Sequence, residues 1–221
     1  MVSLNINNFY NLSRFFHKDI FKTKDEIWQS LEKIEKYLNN WFKTNKQNRL
    51  NGKIHSQATL VGENIYIGKN TVVEPGAFIN GPAYIGNNCQ VRHGAYIRKN
   101  AIVGNNCVIG NSTEIKNSIL IGNVRAAHFN YIGDSILGNN VNLGAGVKIA
   151  NFRLDKKTIK LKHKNLKINT SLNKFGAIIG DDSMIGCNTV INPGTVIEKN
   201  CKIFPLLSVS GHIKPGLIKK Q

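Results

Sequence analysis

The sequence predicts an all-β chain, a left-handed parallel β-helix of hexapeptide repeats with a small N-terminal helical segment. Three observations predict it. Val or Ile recurs every six residues at Val61, Ile67, Val73, Ile79, Ile85, Val91, Ile97, Val103, Ile109, Ile115 and Ile121. Four residues after most hits the side chain is small, as at Thr71, Ala77, Ala83, Cys89, Ala95, Ala101, Cys107 and Thr113. Gly often follows the branched residue, as at Gly62, Gly68, Gly86, Gly104, Gly110 and Gly122. A period of six with β-branched hits fits neither an α-helix nor a simple alternating strand. It marks a β-helix of three hexads, about 18 residues, per coil. The branched residue points into a prism, the small one shares that interior, and Gly or Asn turns the corner.

The elements follow in order. Residues 1–50 form the helical segment. Thr23 with Glu26 makes a possible capping box, and Ile27, Leu31, Ile34, Leu38 and Phe42 follow at helical spacing beside Trp28 and Trp41. A helix over 24–43 is predicted, after an aromatic stretch containing Phe9, Phe15, Phe16 and Phe21. It would cap the open first coil or mediate contacts. Residues 51–210 form the β-helix, whose period resumes at Leu137, Leu143 and Ile149 and again from Ile179 to Ile203. The span 153–174 lacks hexads, and the alternation Thr158-Ile159-Lys160-Leu161-Lys162 predicts an inserted loop or hairpin projecting from the prism. Residues 211–221 are a basic tail.

Composition narrows the partners. The 221 residues carry 30 Lys+Arg against 13 Asp+Glu, a formal charge of +17, with 41% apolar and 19% charged residues. That supports one folded domain with an appendage and excludes intrinsic disorder. No apolar run spans a membrane and no signal-peptide pattern opens the chain. Four Cys make no disulfide scaffold, so a cytoplasmic location is expected. The positive balance calls for anionic partners such as phosphorylated metabolites, coenzyme A or nucleic acid. No aromatic-basic nucleic-acid module is present.

Residues 18 apart should stack on neighbouring coils, about 4.8 Å apart. One corner column then reads Gly68, Gly86, Gly104, Gly122, which is ordinary turn chemistry. Another reads Gly62, Asn80, Arg98, Lys116 and ends in two stacked cations. Adjacent cations repel unless an anion lies between them, so this corner is either a solvated basic edge or an anion site. The Cys residues read as structural: Cys89, Cys107 and Cys201 share the small inward phase. No Cys or His spacing has a zinc pattern, and no metal is expected. The repeat breaks between Ile121 and Leu137, across a segment holding His128 and Tyr131. An interrupted repeat is a place for function, and histidine exchanges protons near neutrality.

His128-Phe-Asn-Tyr131-Ile-Gly-Asp134, then Asn140-Val-Asn142-Leu-Gly-Ala145-Gly146, resembles the acetyltransferase domain of bacterial bifunctional N-acetylglucosamine-1-phosphate uridyltransferase/glucosamine-1-phosphate acetyltransferases. Ala150-Asn151-Phe-Arg153-Leu-Asp155, Lys174-Phe-Gly-Ala-Ile-Ile-Gly-Asp181 and Ile191-Asn-Pro-Gly194 are closer still to the C-terminal domain of archaeal sugar-1-phosphate nucleotidylyltransferases. The resemblance spans residues 55–210 and implies acetyl transfer from acetyl-CoA to the amine of glucosamine-1-phosphate or galactosamine-1-phosphate, without a metal, in a homotrimer. It implies His128 as general base and the Ala145 N–H as oxyanion donor, with Asn151 helping to hold His128 and the substrate. Lys116 and Lys174 would meet the sugar phosphate or hydroxyls beside Arg98, with Arg92 as the alternative to Arg98. Tyr131 and Asn142 would line the sugar site. Cys187 stands where the bacterial enzymes have Ser at the coenzyme, and Lys199, Lys202 and Lys214 would meet coenzyme A phosphates. The bacterial Asn-Tyr-Asp-Gly turn is replaced by Asn151-Phe-Arg-Leu and the insertion, so the sugar is open. Residues 1–50 are not expected to form a nucleotidylyltransferase domain.

Other readings keep the fold. A γ-type carbonic anhydrase needs three His around zinc, and strict hexads put His93, His128 and His163 on no shared corner column. The non-catalytic alternative is a sugar-phosphate-binding or accessory subunit of a separate sugar nucleotidylyltransferase.

Overall fold

A computed structural model describes residues 4–21, 25–47, 49–163 and 166–218. Its body is a left-handed parallel β-helix whose short strands stack into three sheets, the faces of a triangular prism. Face 1 runs from the strand Lys53–Ile54 to Gly216–Ile218, face 2 from Thr59–Val61 to Ser208–Val209, and face 3 from Ile65–Ile67 to His212–Ile213. The branched hexad residues from Ile67 to Ile115 fill the interior together with Ala77, Cys89, Ala95, Ala101, Cys107 and Cys201, whereas Val61 is exposed and Leu60, paired with Ile79, takes the inward place in the first coil. Every coil closes its backbone hydrogen bonds on the coils above and below, so each rung satisfies its neighbour.

Of the Gly or Asn expected at the corners, Asn makes the turn. Asn70, Asn88, Asn106, Asn123 and Asn140 take the left-handed conformation, with φ between 53° and 60°. Asn is among the few side chains that tolerate this. Gly68, Gly86 and Gly104 do not adopt positive φ. A Cβ on Gly86 would lie 2.8 Å from the carbonyl carbon of Gly104 in the next coil, so Gly is there to let coils approach.

The register also differs. Leu120, not Ile121, points inward, because Leu120 pairs with Val103 below and Leu137 above. Two successive coils are each one residue short at the corner between faces 2 and 3, where Asn117 and Asp134 have φ of 45° and 46°. Ile121 therefore joins an outer apolar cluster. His128 ends a regular strand, Arg125–His128, and the supposed break in the prism is only a shortened corner.

That outer cluster explains the N-terminal segment. Face 3 presents outward a column of Tyr66, Tyr84, Ile102, Ile119, Ile136, Ile178 and Val196. On face 1 the matching outward column is mixed, running Val72, Gln90, Val108, Arg125, Asn142, Met184 and Lys202. Phe9, Tyr10, Phe15 and Ile20, with Ile34, Leu38 and Phe42 of helix α1 (Gln29–Thr44), bury the face 3 column. The segment thus lies along a side of the prism and not over its open end. Tyr10 Oη donates to the Ile136 carbonyl at 3.2 Å, and the Asn11 N–H donates to Asp181 at 2.7 Å. α1 starts later than predicted; the Glu26 N–H donates to Gln29 Oε1 at 2.9 Å, and Thr23 lies outside the described residues.

The insertion forms an antiparallel hairpin of Lys160–His163 and Leu166–Asn169. It lies against face 3 and does not project, because Ile159 and Leu161 are buried in the same outer cluster. Among the described residues no helix is long and apolar enough to cross a membrane.

Candidate active site

Face 2 and its two edges hold His128, Ala145, Cys187, Tyr131, Arg98, Lys116 and Asn151, while Asn142, Lys202 and Arg92 lie on face 1. On the edge between faces 1 and 2, one column runs through His93, Asn111, His128, Ala145 and Cys187 on successive coils. Asn111 pairs with His128, the Gly146 N–H donates to the His128 carbonyl at 3.0 Å, and the Asn188 N–H donates to the Ala145 carbonyl at 2.8 Å. His93 and His128 do share a corner column, contrary to the strict hexad, because one of the two intervening coils is short. His163 lies on the hairpin against face 3, so the three do not converge.

Local hydrogen bonds stiffen this edge. Asn130, almost fully buried, accepts from the His128 N–H at 3.3 Å and donates to the Gly144 carbonyl at 2.7 Å. A Cβ on Gly144 would lie 2.7 Å from the Cys187 nitrogen, so only Gly lets that coil seat. The His128 side chain is exposed. Cys187 is exposed too, unlike the other three Cys, so a purely structural role does not extend to it. Asn142 is half-buried on face 1, and exposed Lys202 stands two coils above it in the same column. Lys199 is drawn away to the Asn7 carbonyl at 3.0 Å.

The opposite edge of face 2 carries the stacked cations, and carboxylates of the same chain neutralise them. Arg98 Nη1 is 2.9 Å from Glu114 Oε1, and Lys116 Nζ is 2.9 Å from Asp134 Oδ2. Its hydrogen bond to Glu114 holds the Arg98 guanidinium above its usual pKa. Asp134 is 6% exposed and also accepts from Asn117 Nδ2 at 2.8 Å and from Asn151 Nδ2. Asn151 therefore contacts Asp134, and no bond to His128 is seen among the described residues. Tyr131 lies on face 2 between the edges, in a column with Tyr96, Glu114 and Lys148. Burial, then Glu114 and Asp134, raise its hydroxyl pKa. A cleft of about 550 Å³ opens beside this edge, walled by Leu31, Glu32 and Glu35 of α1 and by Tyr96, Arg98, Lys116 and Asp134. Arg92 is elsewhere, on face 1, with its guanidinium on Gln90. Lys174 is exposed at the end of the insertion, where the Phe175 N–H donates to the Asn151 carbonyl at 2.9 Å.

Sequence reasoning missed Glu114, Asp134 and the α1 carboxylates. The first two were findable, since each sits in register beside the cation it neutralises.

Over 78 residues the chain is 41% identical to a bifunctional sugar-1-phosphate nucleotidylyltransferase/acetyltransferase of Sulfurisphaera tokodaii, covering 35% of this chain and 20% of that protein. Over 81 residues it is 37% identical to the bifunctional protein GlmU of Methanocaldococcus jannaschii, covering 37% and 20%. The similarity to archaeal nucleotidylyltransferase/acetyltransferases holds. A family model described as the GMPPB C-terminal domain matches residues 79–173. The matched segments span about a fifth of these relatives' length. Among solved structures, a UDP-N-acetylglucosamine acyltransferase from Campylobacter jejuni is 19% identical, with a TM-score of 0.49, covering 75% of this chain and 68% of that one. That likeness in shape carries no functional argument.

Proposed function

We propose that the chain is an N-acetyltransferase that moves the acetyl group of acetyl-CoA to the amine of an amino sugar 1-phosphate, either glucosamine-1-phosphate or galactosamine-1-phosphate. The carrying observation is the arrangement on face 2. A histidine and a backbone corner stack on one edge, two cations stack on the other, and a tyrosine stands between. Cysteine and lysine continue the first edge and its neighbouring face toward the C-terminal coils, where a coenzyme would lie. The names of the archaeal relatives support the reaction class.

The chemistry needs few parts. His128 takes a proton as the amine nitrogen attacks the thioester carbonyl. The oxyanion that forms is met by the Ala145 N–H, a kind of contact worth roughly 3 kcal/mol. The C–S bond then breaks, and the thiolate leaves and takes up a proton. Arg98, Lys116 and Lys174 hold the phosphate end, Tyr131 and Asn142 line the sugar, and Asn151 fixes Asp134 against Lys116. Lys202 and Cys187 border the coenzyme. A neighbouring prism in a homotrimer closes the exposed face.

The test is release of free coenzyme A from acetyl-CoA over a panel of glucosamine-1-phosphate, galactosamine-1-phosphate and UDP-linked amino sugars. Turnover on one hexosamine 1-phosphate is expected. No turnover on any of them by folded, trimeric protein overturns the reading in favour of a non-catalytic subunit.

A further inference from the structure

We propose that His163, Glu198 and His212 bind one divalent transition-metal ion of the zinc class, clamping the inserted hairpin to the last coils of the prism. The site begins in the face 3 column. Its rungs are aromatic or aliphatic up to Val196, and the next rung, paired with Val196, is His212. An imidazole thus ends an otherwise apolar ladder. Glu198 follows at the adjoining corner, with Oε1 2.6 Å from His212 Nε2. The hairpin supplies the third group. Its strand alternates exposed Lys160 and Lys162 with buried Leu161 and His163, and that alternation turns His163 inward. The His163 and His212 rings lie 4.5 Å apart between centroids.

One donor atom from each of the three residues lies within 4.8 Å of the other two. Zinc–nitrogen and zinc–oxygen bonds of about 2.0–2.2 Å put tetrahedral ligand atoms roughly 3.4 Å apart. The ion would part His212 Nε2 from Glu198 Oε1, now 2.6 Å apart, and draw the wider pairs in by up to about 1.4 Å, movements of the size of a side-chain rotation. Two imidazoles and one carboxylate are borderline donors that suit Zn²⁺ or Co²⁺ and leave a fourth position for water. The three residues come from separate elements, so a shared ion would cross-link the hairpin to the prism. On a chain of net charge +17, loose cation binding is disfavoured, and a cation is held only where ligands converge. The cluster faces away from face 2, so the clamp is separate from the residues proposed for acetyl transfer.

The test uses the full chain stripped with a chelator, with Co²⁺ titrated as the spectroscopic probe and Zn²⁺ as competitor. One equivalent of Co²⁺ with visible d–d bands displaced by Zn²⁺ is expected, together with a metal-dependent rise in Tm and protection of the hairpin lysines from trypsin. His163→Gln and Glu198→Gln should each weaken binding by at least about a hundredfold, more than partners outside the coordination sphere usually contribute. Circular dichroism of each variant confirms that it is folded, and either one alone suffices. Cys187→Ser should bind as the parent does. Absence of saturable binding, binding unchanged in folded Glu198→Gln, or binding lost in Cys187→Ser overturns the proposal.

Discussion

Ala145 stands one coil above His128 on the same prism edge, tied there by the Gly146 N–H donating to the His128 carbonyl at 3.0 Å. Adjacent coils are about 4.8 Å apart. A base and an amide separated by that distance can address the nucleophile and the oxyanion of one tetrahedral centre. Cys187 occupies the next coil of the same column with its thiol exposed, continuing the edge along which the coenzyme is proposed to lie.

Cys187 is the exposed thiol, while Cys89, Cys107 and Cys201 are buried. Burial pushes the Cys201 thiol up to about 11 and also raises Cys107. Alkylation of the native protein should therefore label one thiol, identified by peptide mass spectrometry. Saturating acetyl-CoA should slow that labelling at least about tenfold. Unchanged labelling removes Cys187 from the coenzyme path.

Lys116→Met leaves the buried carboxylate of Asp134 with only its Asn117 and Asn151 donors. A lost charge-assisted contact costs about 1.5–3 kcal/mol. The expected kinetic result is a rise of about 10–100-fold in KM for the sugar phosphate with little change in KM for acetyl-CoA. Equal effects on both substrates would detach this edge from phosphate binding.

His17 is packed beneath Tyr84, ring centroids 4.1 Å apart, and burial lowers its pKa from 6.5 to about 3. Between those values the unfolded chain holds a proton that the folded chain refuses. Its contribution to stability is complete above pH 6.5 and is lost as pH falls toward 3, at up to about 1.4 kcal/mol per pH unit. Urea unfolding of His17→Gln between pH 4 and 7 should show a flatter pH slope by that amount. An unchanged slope would mean the imidazole is not shielded.

Ile136 is fully buried between the prism and the N-terminal segment. Ile136→Ala should cost about 2–5 kcal/mol in denaturant unfolding. It should also expose residues before α1 to limited proteolysis before the prism itself is cut.

The interior of the prism is readable from the sequence because each inward position must be branched and each neighbour small. The outer cover is harder, since its signal is a second column running through Tyr84, Ile102, Ile119 and Ile136. Those residues stand in line only when two coils of 17 residues are allowed for. A strict 18-residue count sends Ile121 inward and separates His93 from His128. The stacked pair Arg98 and Lys116 is correctly placed by counting because it lies before the first shortened corner. Glu114 and Asp134 are legible by counting, Asp134 one strict coil after Lys116 and Glu114 two residues before it, whereas Glu32 and Glu35 escape because only the packing of α1 on the prism brings them to that edge. His163, Glu198 and His212 escape because only the packing of the hairpin on face 3 unites them.

The decisive measurement is the steady-state release of coenzyme A by parent protein and His128→Ala, with the accepted hexosamine 1-phosphate and acetyl-CoA both saturating. A fall in kcat of at least about a hundredfold, with KM for acetyl-CoA unchanged, is expected of a general base. A variant that keeps kcat within a few-fold of the parent would contradict His128 as the base and the assignment of chemistry to this edge.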